Sequence, residues 1–375
     1  MDMQFFFFDA DEKIIGILES AETCQVNEAG YTAELEFVSD VPFEWSDCYH
    51  VAFEDIDGFL TLWEVKTFKA SSSNGLATIK LSAESAAMAE LLDEVITGKA
   101  VSGAQAGYAT QRVIEDTRWI MKSTETVDTT ITELFYYTNA WKALDTIREV
   151  TGCAHYFGIT VSNGIITERY VSVKARAGAS RGRTFDTGKD MTAFDITEDR
   201  SGVYTRLYGR GKGEEVGENE AGEATYGRRI TFEEVEWSTS RGDPVDKPLG
   251  QLYVEDAAAT ARFGRGPTGN KRPRQNIVIF EDCEDPATLL LLTWEKLKTV
   301  RYPILRISGT FTDMERVWGY THEAVRRGDD VQVLVREWDI AYQDYVENVI
   351  RDYVNPLNTK VVIGPEGQTS YSIQS

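Results

Sequence analysis

Tyr31-Thr32-Ala33-Glu34-Leu35-Glu36-Phe37 is the stretch that decides how this chain is read. Tyr31, Ala33, Leu35 and Phe37 fall on one side of a period of two, and Thr32, Glu34 and Glu36 fall on the other. That alternation predicts a half-buried β-strand. Toward the N-terminus, residues 4–8 and 13–18 are apolar runs flanking the acidic turn at 9–11, the pattern of a hairpin. Toward the C-terminus, runs at 50–53, 60–67 and 77–81 are separated by turn signals at Asp57-Gly58 and Asn74-Gly75. Short strands at such intervals predict a small barrel or sandwich.

Beyond residue 81 the period changes. Ser82 is placed to N-cap a helix whose stripe is Met88, Leu91, Leu92 and Val95, closed by Gly98. A second helix is predicted over 139–151, with Trp141, Leu144, Ile147 and Val150 for burial and Gly152 as its stop. Strands return over 154–174 about an Asn163-Gly164 turn. Between 200 and 250 further strands are predicted, interrupted by an exposed loop at 211–227 that is rich in glycine and glutamate. Asp285-Pro286 opens a third helix as N-cap and N1, running through Leu297. Leu305, Ile307 and Phe311 then alternate as a strand, as do Val331, Val333 and Val335, and 360–363 closes the series. Residues 364–375 are polar and are expected to be frayed.

Charge narrows the function classes. With 61 acidic and 39 basic side chains the net charge is −22, which argues against a protein built to grip nucleic acid or an anionic membrane. A 42% hydrophobic and 11% aromatic composition excludes disorder, and 375 residues suggest two to three domains. No stretch approaches the ~18 apolar residues that span a bilayer, and no basic region precedes the apolar residues 5–8, so no signal peptide or membrane insertion is expected.

Chemistry-bearing patterns are sparse. Cys24, Cys48, Cys153 and Cys283 lie far apart and read as free thiols. Cys48 with His50, and Cys153 with His155, could each supply two zinc ligands, but no second cluster accompanies them. His322 stands alone. The glycines of residues 206–213 are followed by Glu214-Glu215 rather than by a helix, so a turn is expected there and not a phosphate cradle. Residues 262–274 hold five bases (Arg262, Arg265, Lys271, Arg272, Arg274) and no acid, and read as a solvated or protein-contacting loop. Arg241-Gly242-Asp243 is too short to carry weight. Asp9, Asp11 and Glu12, or Glu281, Asp282, Glu284 and Asp285, are acidic enough for calcium, yet neither follows an EF-hand pattern. No GxSxG elbow or carboxylate spacing marks an active site. The expected sets of catalytic, cofactor-binding and metal residues are therefore all empty.

The order of longer phrases goes further. After residues 31–37 come Trp63-Glu64-Val65, Thr117-Arg118-Trp119-Ile120 and Ala143-Leu144-Asp145-Thr146-Ile147. Arg183-Thr184-Phe185-Asp186-Thr187-Gly188-Lys189-Asp190-Met191 and Thr205-Arg206-Leu207-Tyr208-Gly209-Arg210-Gly211-Lys212-Gly213 follow. Then come Tyr253-Val254-Glu255-Asp256, Ala261-Arg262-Phe263-Gly264-Arg265 and Gly328-Asp329-Asp330-Val331, with Asp352-Tyr353-Val354-Asn355-Pro356 opening the closing phrase to Gly364. This order resembles the N-terminal module of phage minor tail proteins. These are the prophage tail endopeptidase or tail-associated lysin family of phages infecting Gram-positive bacteria.

The resemblance implies an α+β, β-rich, baseplate-hub-like fold with two small β-barrel domains and two inserted α+β domains. On that plan 1–105 is the first barrel, 106–200 an inserted α+β domain, 201–250 with 320–375 the second barrel, and 251–319 an inserted helix-bearing domain. It implies a homotrimer at the virion's distal tail tip, made in the bacterial host cytoplasm. Its partners would be the distal tail protein ring, the tape-measure protein and receptor-binding proteins, with phage DNA passing transiently. Two like barrels per chain would let a trimer meet a six-fold tube. Acidic residues around the lumen would keep DNA sliding. The wall-degrading or fibre domains of longer members lie beyond this module, so a structural protein is expected rather than an enzyme. The alternatives are a cell-wall-degrading peptidoglycan peptidase or glycosidase, and a carbohydrate-binding adhesin using exposed Trp and Tyr.

Overall fold

The computed structural model describes residues 3–38, 45–73, 76–218, 224–241, 246–336 and 340–364. The chain divides into two units. The first is drawn from Met1–Phe194, Ser308–Ala341 and Tyr345–Ile363, and the second chiefly from Asp195–Ile307 with Tyr342–Asp344.

The predicted strand is β4 (Thr32–Val38), and its alternation decides its neighbours. β1 (Phe5–Phe8), β2 (Ile14–Leu18) and β3 (Thr23–Asn27) precede it, and β5 (His50–Glu54), β6 (Leu60–Ser73) and β7 (Leu76–Ser85) follow. Ala33, Leu35 and Phe37 lie opposite Ala83, Leu81 and Ile79 of β7, all buried. The outward row pairs Glu34 with Ser82 and Glu36 with Lys80, and the Lys80 ammonium sits 2.9 Å from Glu36. A one-residue slip would turn every one of these side chains over, so the pattern fixes the register. Phe5, Phe7, Phe37, Phe53 and Trp63 fill the core beneath, with Phe5 edge-on to Phe37 at 5.2 Å. Burying each such ring contributes about 1.5–3 kcal/mol.

The helix expected from Ser82 starts later. Ser82 stays in β7, where its hydroxyl donates to the Glu34 carboxylate at 2.6 Å, and α1 spans Ala86–Asp93 with Ser85 as N-cap. Cross-strand pairing outlasts the local helix signal. Of the expected stripe, Leu91 is buried but Leu92 and Val95 are exposed, because β8 (Val95–Ile96) resumes extended backbone. β9 (Lys99–Ala104) and a helix the sequence did not reveal, α2 (Ala106–Ile114), come next, followed by β10 (Trp119–Thr124), β11 (Ile131–Phe135) and β12 (Thr138–Asn139).

α3 (Ala140–Thr151) matches its prediction. Asn139 accepts from the Lys142 amide at 2.8 Å, and Gly152 closes the helix in the left-handed region at φ 75. Trp141, Leu144 and Ile147 are buried, whereas Val150 is exposed. β13 (Ala154–Ser162) and β14 (Ile165–Lys174) form the expected hairpin, and α1, α2 and α3 share a core with Trp119, Val171 and Val173.

β15 (Ser180–Asp186) and β16 (Met191–Asp199) lead to the second unit. There β17 (Arg206–Arg210), β18 (Gly213–Glu218) and β19 (Ala224–Arg229) are followed by β20 (Val254–Glu255), α4 (Ala257–Phe263), β21 (Gln275–Ile279) and α5 (Pro286–Val300). The 211–227 segment is not the loop expected: β18 and β19 pair as an antiparallel hairpin, Gly213 opposite Arg229. Backbone ladder bonds need no apolar side chains, so composition alone misled. α5 is capped as predicted, Asp285 accepting from the Thr288 amide at 2.7 Å. It packs Leu289, Leu290, Trp294 and Leu297 on Leu207, Phe232 and Val254.

The chain returns to the first unit through β22 (Ile304–Phe311), α6 (Met314–Trp318), β23 (Asp330–Val335), β24 (Ile340–Asp352) and β25 (Thr359–Ile363). One sheet of thirteen strands results. Its main path is β16-β22-β25-β24-β3-β4-β7-β6-β5-β1-β2, with β15 joined through β23. The architecture is β-rich with few helices. The turn at Asn74-Gly75, the Gly242 and Asp243 positions and residues 365–375 lie outside the described residues.

Candidate functional site

The charged side chains buried in the first unit form ion-pair nodes, and the phrases quoted above supply some of their members, among them Arg183, Asp190, Asp329 and Asp352. Arg351, at the end of β24, is fully buried. Its guanidinium donates to Glu28 at 2.9 Å, to Asp313 at 2.7 Å and to the Val325 carbonyl at 2.8 Å. Arg316 lays its fork on the carbonyls of Asp352 and Tyr353, at 2.9 and 2.5 Å. Asp352 accepts the amides of Val354 and Asn355, which turns the chain at the Asn355-Pro356 step. Tyr353 drops into the first core against Phe53, 5.8 Å between rings.

The Gly328-Asp329-Asp330-Val331 phrase works the same way. Asp329, wholly buried, accepts the amides of Ala179 at 2.6 Å and Arg326 at 2.8 Å and pairs with Arg181. Gly328 has φ 83, and a Cβ there would lie 2.7 Å from Ala177, so only glycine fits. Arg326 bridges Glu315 and Asp57. Burial opposes the Arg326 charge, but Glu315 and Asp57 outweigh it and raise its pKa. In the 183–191 phrase, Arg183 pairs with Asp190 at 2.5 Å and with Glu323, and lies over the Phe185 ring. Asp186 accepts the Gly188 amide and the Arg336 guanidinium, and this Arg336 bond chiefly pulls its carboxyl down to about 2.

A further node takes up a suggested calcium ligand. Glu12 accepts from Arg169 at 2.8 and 3.1 Å and pairs with Arg118. Burial works to raise the Glu12 carboxyl, but the two guanidiniums prevail and hold it below its usual range. Asp9 accepts the Lys13 amide and Asp11 pairs with Lys13. At the other acidic stretch, Glu281 pairs with Arg229, Glu284 with Lys212, and Asp285 caps α5. These carboxylates face guanidiniums, ammoniums and amides.

No group of three or more His, Cys, Asp or Glu side chains poised for a metal ion occurs among the described residues. All four cysteines are buried, and burial pushes the Cys48 thiol up to about 12. His155 meets Thr110 at 2.8 Å, and burial pulls its pKa down to about 3, leaving it neutral. Burial likewise lowers His50. His322 stacks loosely on Tyr320. In the 206–213 phrase, β17 is strand rather than turn, and no helix follows the glycines. Their role is packing: a Cβ on Gly209 would lie 2.1 Å from the Thr293 hydroxyl of α5 and 2.8 Å from Phe232. Trp63, Trp119, Trp141 and Trp294 are core residues, which removes them from any sugar-stacking surface. Tyr136 and Tyr137 are exposed.

Chemically, the arrangement immobilises. Paired carboxylates hold segments remote in sequence at fixed separations, and the His155–Thr110 bond joins β13 to α2. Sequence reasoning missed these nodes because most of their ion pairs, such as Arg351 with Glu28 and Arg169 with Glu12, join residues far apart in the chain. Their only local trace was the charged phrases.

Comparison with known proteins bears on this scaffold. A profile of the family described as prophage endopeptidase tail matches residues 179–373. No curated protein matches the chain. Among solved structures, the prophage tail protein gp18 of Listeria monocytogenes EGD-e is 11% identical at a TM-score of 0.54, over 98% of this chain and 96% of that one. A tail protein of Neisseria meningitidis MC58 is 12% identical at 0.54, over 100% and 98%. The 43 kDa tail protein of prophage MuSo2 from Shewanella oneidensis is 12% identical at 0.56, over 96% and 97%. At such identities the likeness is one of fold.

Proposed function

The chain belongs to the prophage endopeptidase tail family, and from that premise we propose that it is a structural hub of the tail tip, three copies forming a ring that caps the tail tube and opens for DNA. The observation that carries this reading is the interlocked first unit. Residues near both ends of the chain lie in one sheet and are clamped by buried arginines, as suits a part that must transmit force without unfolding. The distal tail protein ring, the tape-measure protein and receptor-binding proteins are its proposed partners.

The barrel plan belongs to the same proposal, with domains at 1–105, 106–200, 201–250 plus 320–375, and 251–319. Sheets beyond about ten strands curl or close, and the ladder is bulged at Phe7/Phe8 and Val65/Thr67, which supports barrel-like curvature. The separate cores beneath Phe37 and around Leu144 support a first barrel packed apart from an insert, with Ala87, Leu91, Val101 and Ala104 of the 1–105 segment packing in the insert's core. A net charge of −22 suits a channel that DNA crosses without multiple phosphate contacts.

Light-scattering mass on a sizing column tests the ring. A mass near one subunit at every concentration, with the neighbouring tail protein present, would sink it. Antibody labelling of virions in negative stain should mark the tail tip. The family description itself favours one second reading, a peptidase acting on cell wall. Release of wall fragments by the purified chain would support that reading, and none would be released by a hub.

A further inference from the structure

The three-stranded sheet of the second unit has order β20-β17-β21, and one of its faces is covered by α5. The other face carries a different set of side chains. In the parallel register of β17 and β21, Arg206 lies beside Gln275, Tyr208 beside Ile277, and Arg210 beside Ile279. Ile277 and Ile279 are 60% and 50% exposed. Arg206 lies over the Tyr253 ring at 3.9 Å and is held there by Glu255, while the Tyr208 hydroxyl donates to Gln275 at 3.1 Å. Two tyrosines, two arginines and two isoleucines on one flat face form the composition of a protein-contact core, not of a solvated sheet. β21 pairs only with β17 among the described residues, so its outer edge is open as well.

The segment that enters β21 adds charge. Arg265 and Arg272 face each other across paired backbone bonds of 2.8 and 2.7 Å. Like charges directly opposite are destabilising. Neither guanidinium has a carboxylate partner among the described residues, in a chain with 61 acidic side chains. Arg274 turns to the carbonyls of Arg200 and Ser201, and Lys271 to that of Arg262. Among the described residues, Arg265 and Arg272 of this basic hairpin are left without a compensating carboxylate.

We propose that this face, with the 265–272 hairpin beside it, is the surface on which a second copy of the chain docks, through a carboxylate-rich surface of that copy. Charge decides both occupant and symmetry. A net charge of −22 makes another copy an acidic partner, and the hairpin would repel its own image. A two-fold, self-complementary contact is therefore disfavoured. The remaining kind of contact between copies joins two different patches, and such contacts close into rings when the rotation between copies closes. The inference rests on the trimeric reading above and names the surface through which the ring closes.

The test is the solution mass of the full chain by light scattering, at low and high sodium chloride, for wild type and three variants. Arg265→Glu/Arg272→Glu reverses the hairpin, Ile277→Ser/Ile279→Ser removes the apolar row, and Leu134→Ser alters an exposed apolar site of the first unit as control. All substituted positions are exposed, and a thermal melt by circular dichroism verifies that each variant is folded. Wild type and the control should assemble alike. Each double variant should weaken assembly roughly tenfold or more, and high salt should weaken the wild type. A wild type that assembles while both double variants assemble equally well overturns this surface and leaves the ring reading standing. A wild type that stays monomeric at every concentration, with the neighbouring tail protein present as well, overturns both.

Discussion

Replacing Arg351 by Met should cost the first unit about 3–5 kcal/mol, the range for breaking a buried ion pair by removing one partner. Three contacts go at once: the bonds to Glu28, Asp313 and the Val325 carbonyl. Taken as charged hydrogen bonds of about 1.5–3 kcal/mol each, they would sum to more. Glu28 is 22% exposed, however, so it can rehydrate, and methionine refills most of the arginine volume. Asp313 cannot rehydrate, since its side chain is 1% exposed. Among the described residues it retains the amide of Arg316, at 3.3 Å, and the penalty concentrates there.

Urea unfolding followed by tryptophan fluorescence, at fixed protein concentration, measures the loss. Hydrogen exchange of peptides covering β3 and β24 localises it. The reasoning makes a second, sharper demand. In Arg351→Met/Asp313→Asn the stranded charge is gone, so the double variant should be less destabilised than the sum of the singles by about 1 kcal/mol or more. Arg351→Met within about 1 kcal/mol of wild type, or strict additivity in the cycle, would refute the claim that this node holds the ends of the chain together.

Other outcomes follow from the same structure. Burial raises the Asp55 carboxyl to about 6, so the folded state binds that proton more tightly than the unfolded chain does. Its contribution is present below about pH 4 and is lost as pH rises through 6. Asp55→Asn should remove this slope and stabilise the protein at pH 8 by about 2–3 kcal/mol, read as urea midpoints across pH. Gly209→Ala should destabilise the second unit by about 1–3 kcal/mol, because Thr293 and Phe232 occupy the space a Cβ needs; an unchanged melting temperature would contradict this. Lys247 is fully buried with its ammonium on the carbonyls of Glu233, Val235 and Pro248, so Lys247→Met should cost about 1–3 kcal/mol by stranding those oxygens. Unfolding monitored at the α5 peptides would show it.

What could be read in advance was whatever short-range periodicity controls. The row Ala33, Leu35 and Phe37, the cap Asp285, and the stop at Gly152 are local, and each appears where the residues indicate. Errors arose where a distant strand overrode a neighbour. Ser82 looks like a cap until Glu34 is opposite it, and residues 211–227 look like a loop until β18 finds β19. The short helix α2 has too few apolar positions beyond Val113 and Ile114 to stand out. The ion-pair nodes were illegible for a simpler reason. Nothing in the residues around Arg351 announces Glu28 or Asp313, and only the fold brings them together.

The pairing of β24 with β3 also sets a schedule for the nascent chain. Gln25 and Asp352 face each other across that pair and are joined side chain to side chain, 327 residues apart. At about 5–20 residues per second a ribosome needs roughly 16–65 s to make the second after the first. For that interval β3 has one open edge, and the first core lacks Tyr353. The first unit therefore cannot finish before residues in the low 350s emerge. A chain cut short before β24 leaves β3 with an unpaired edge, a template for pairing with other chains.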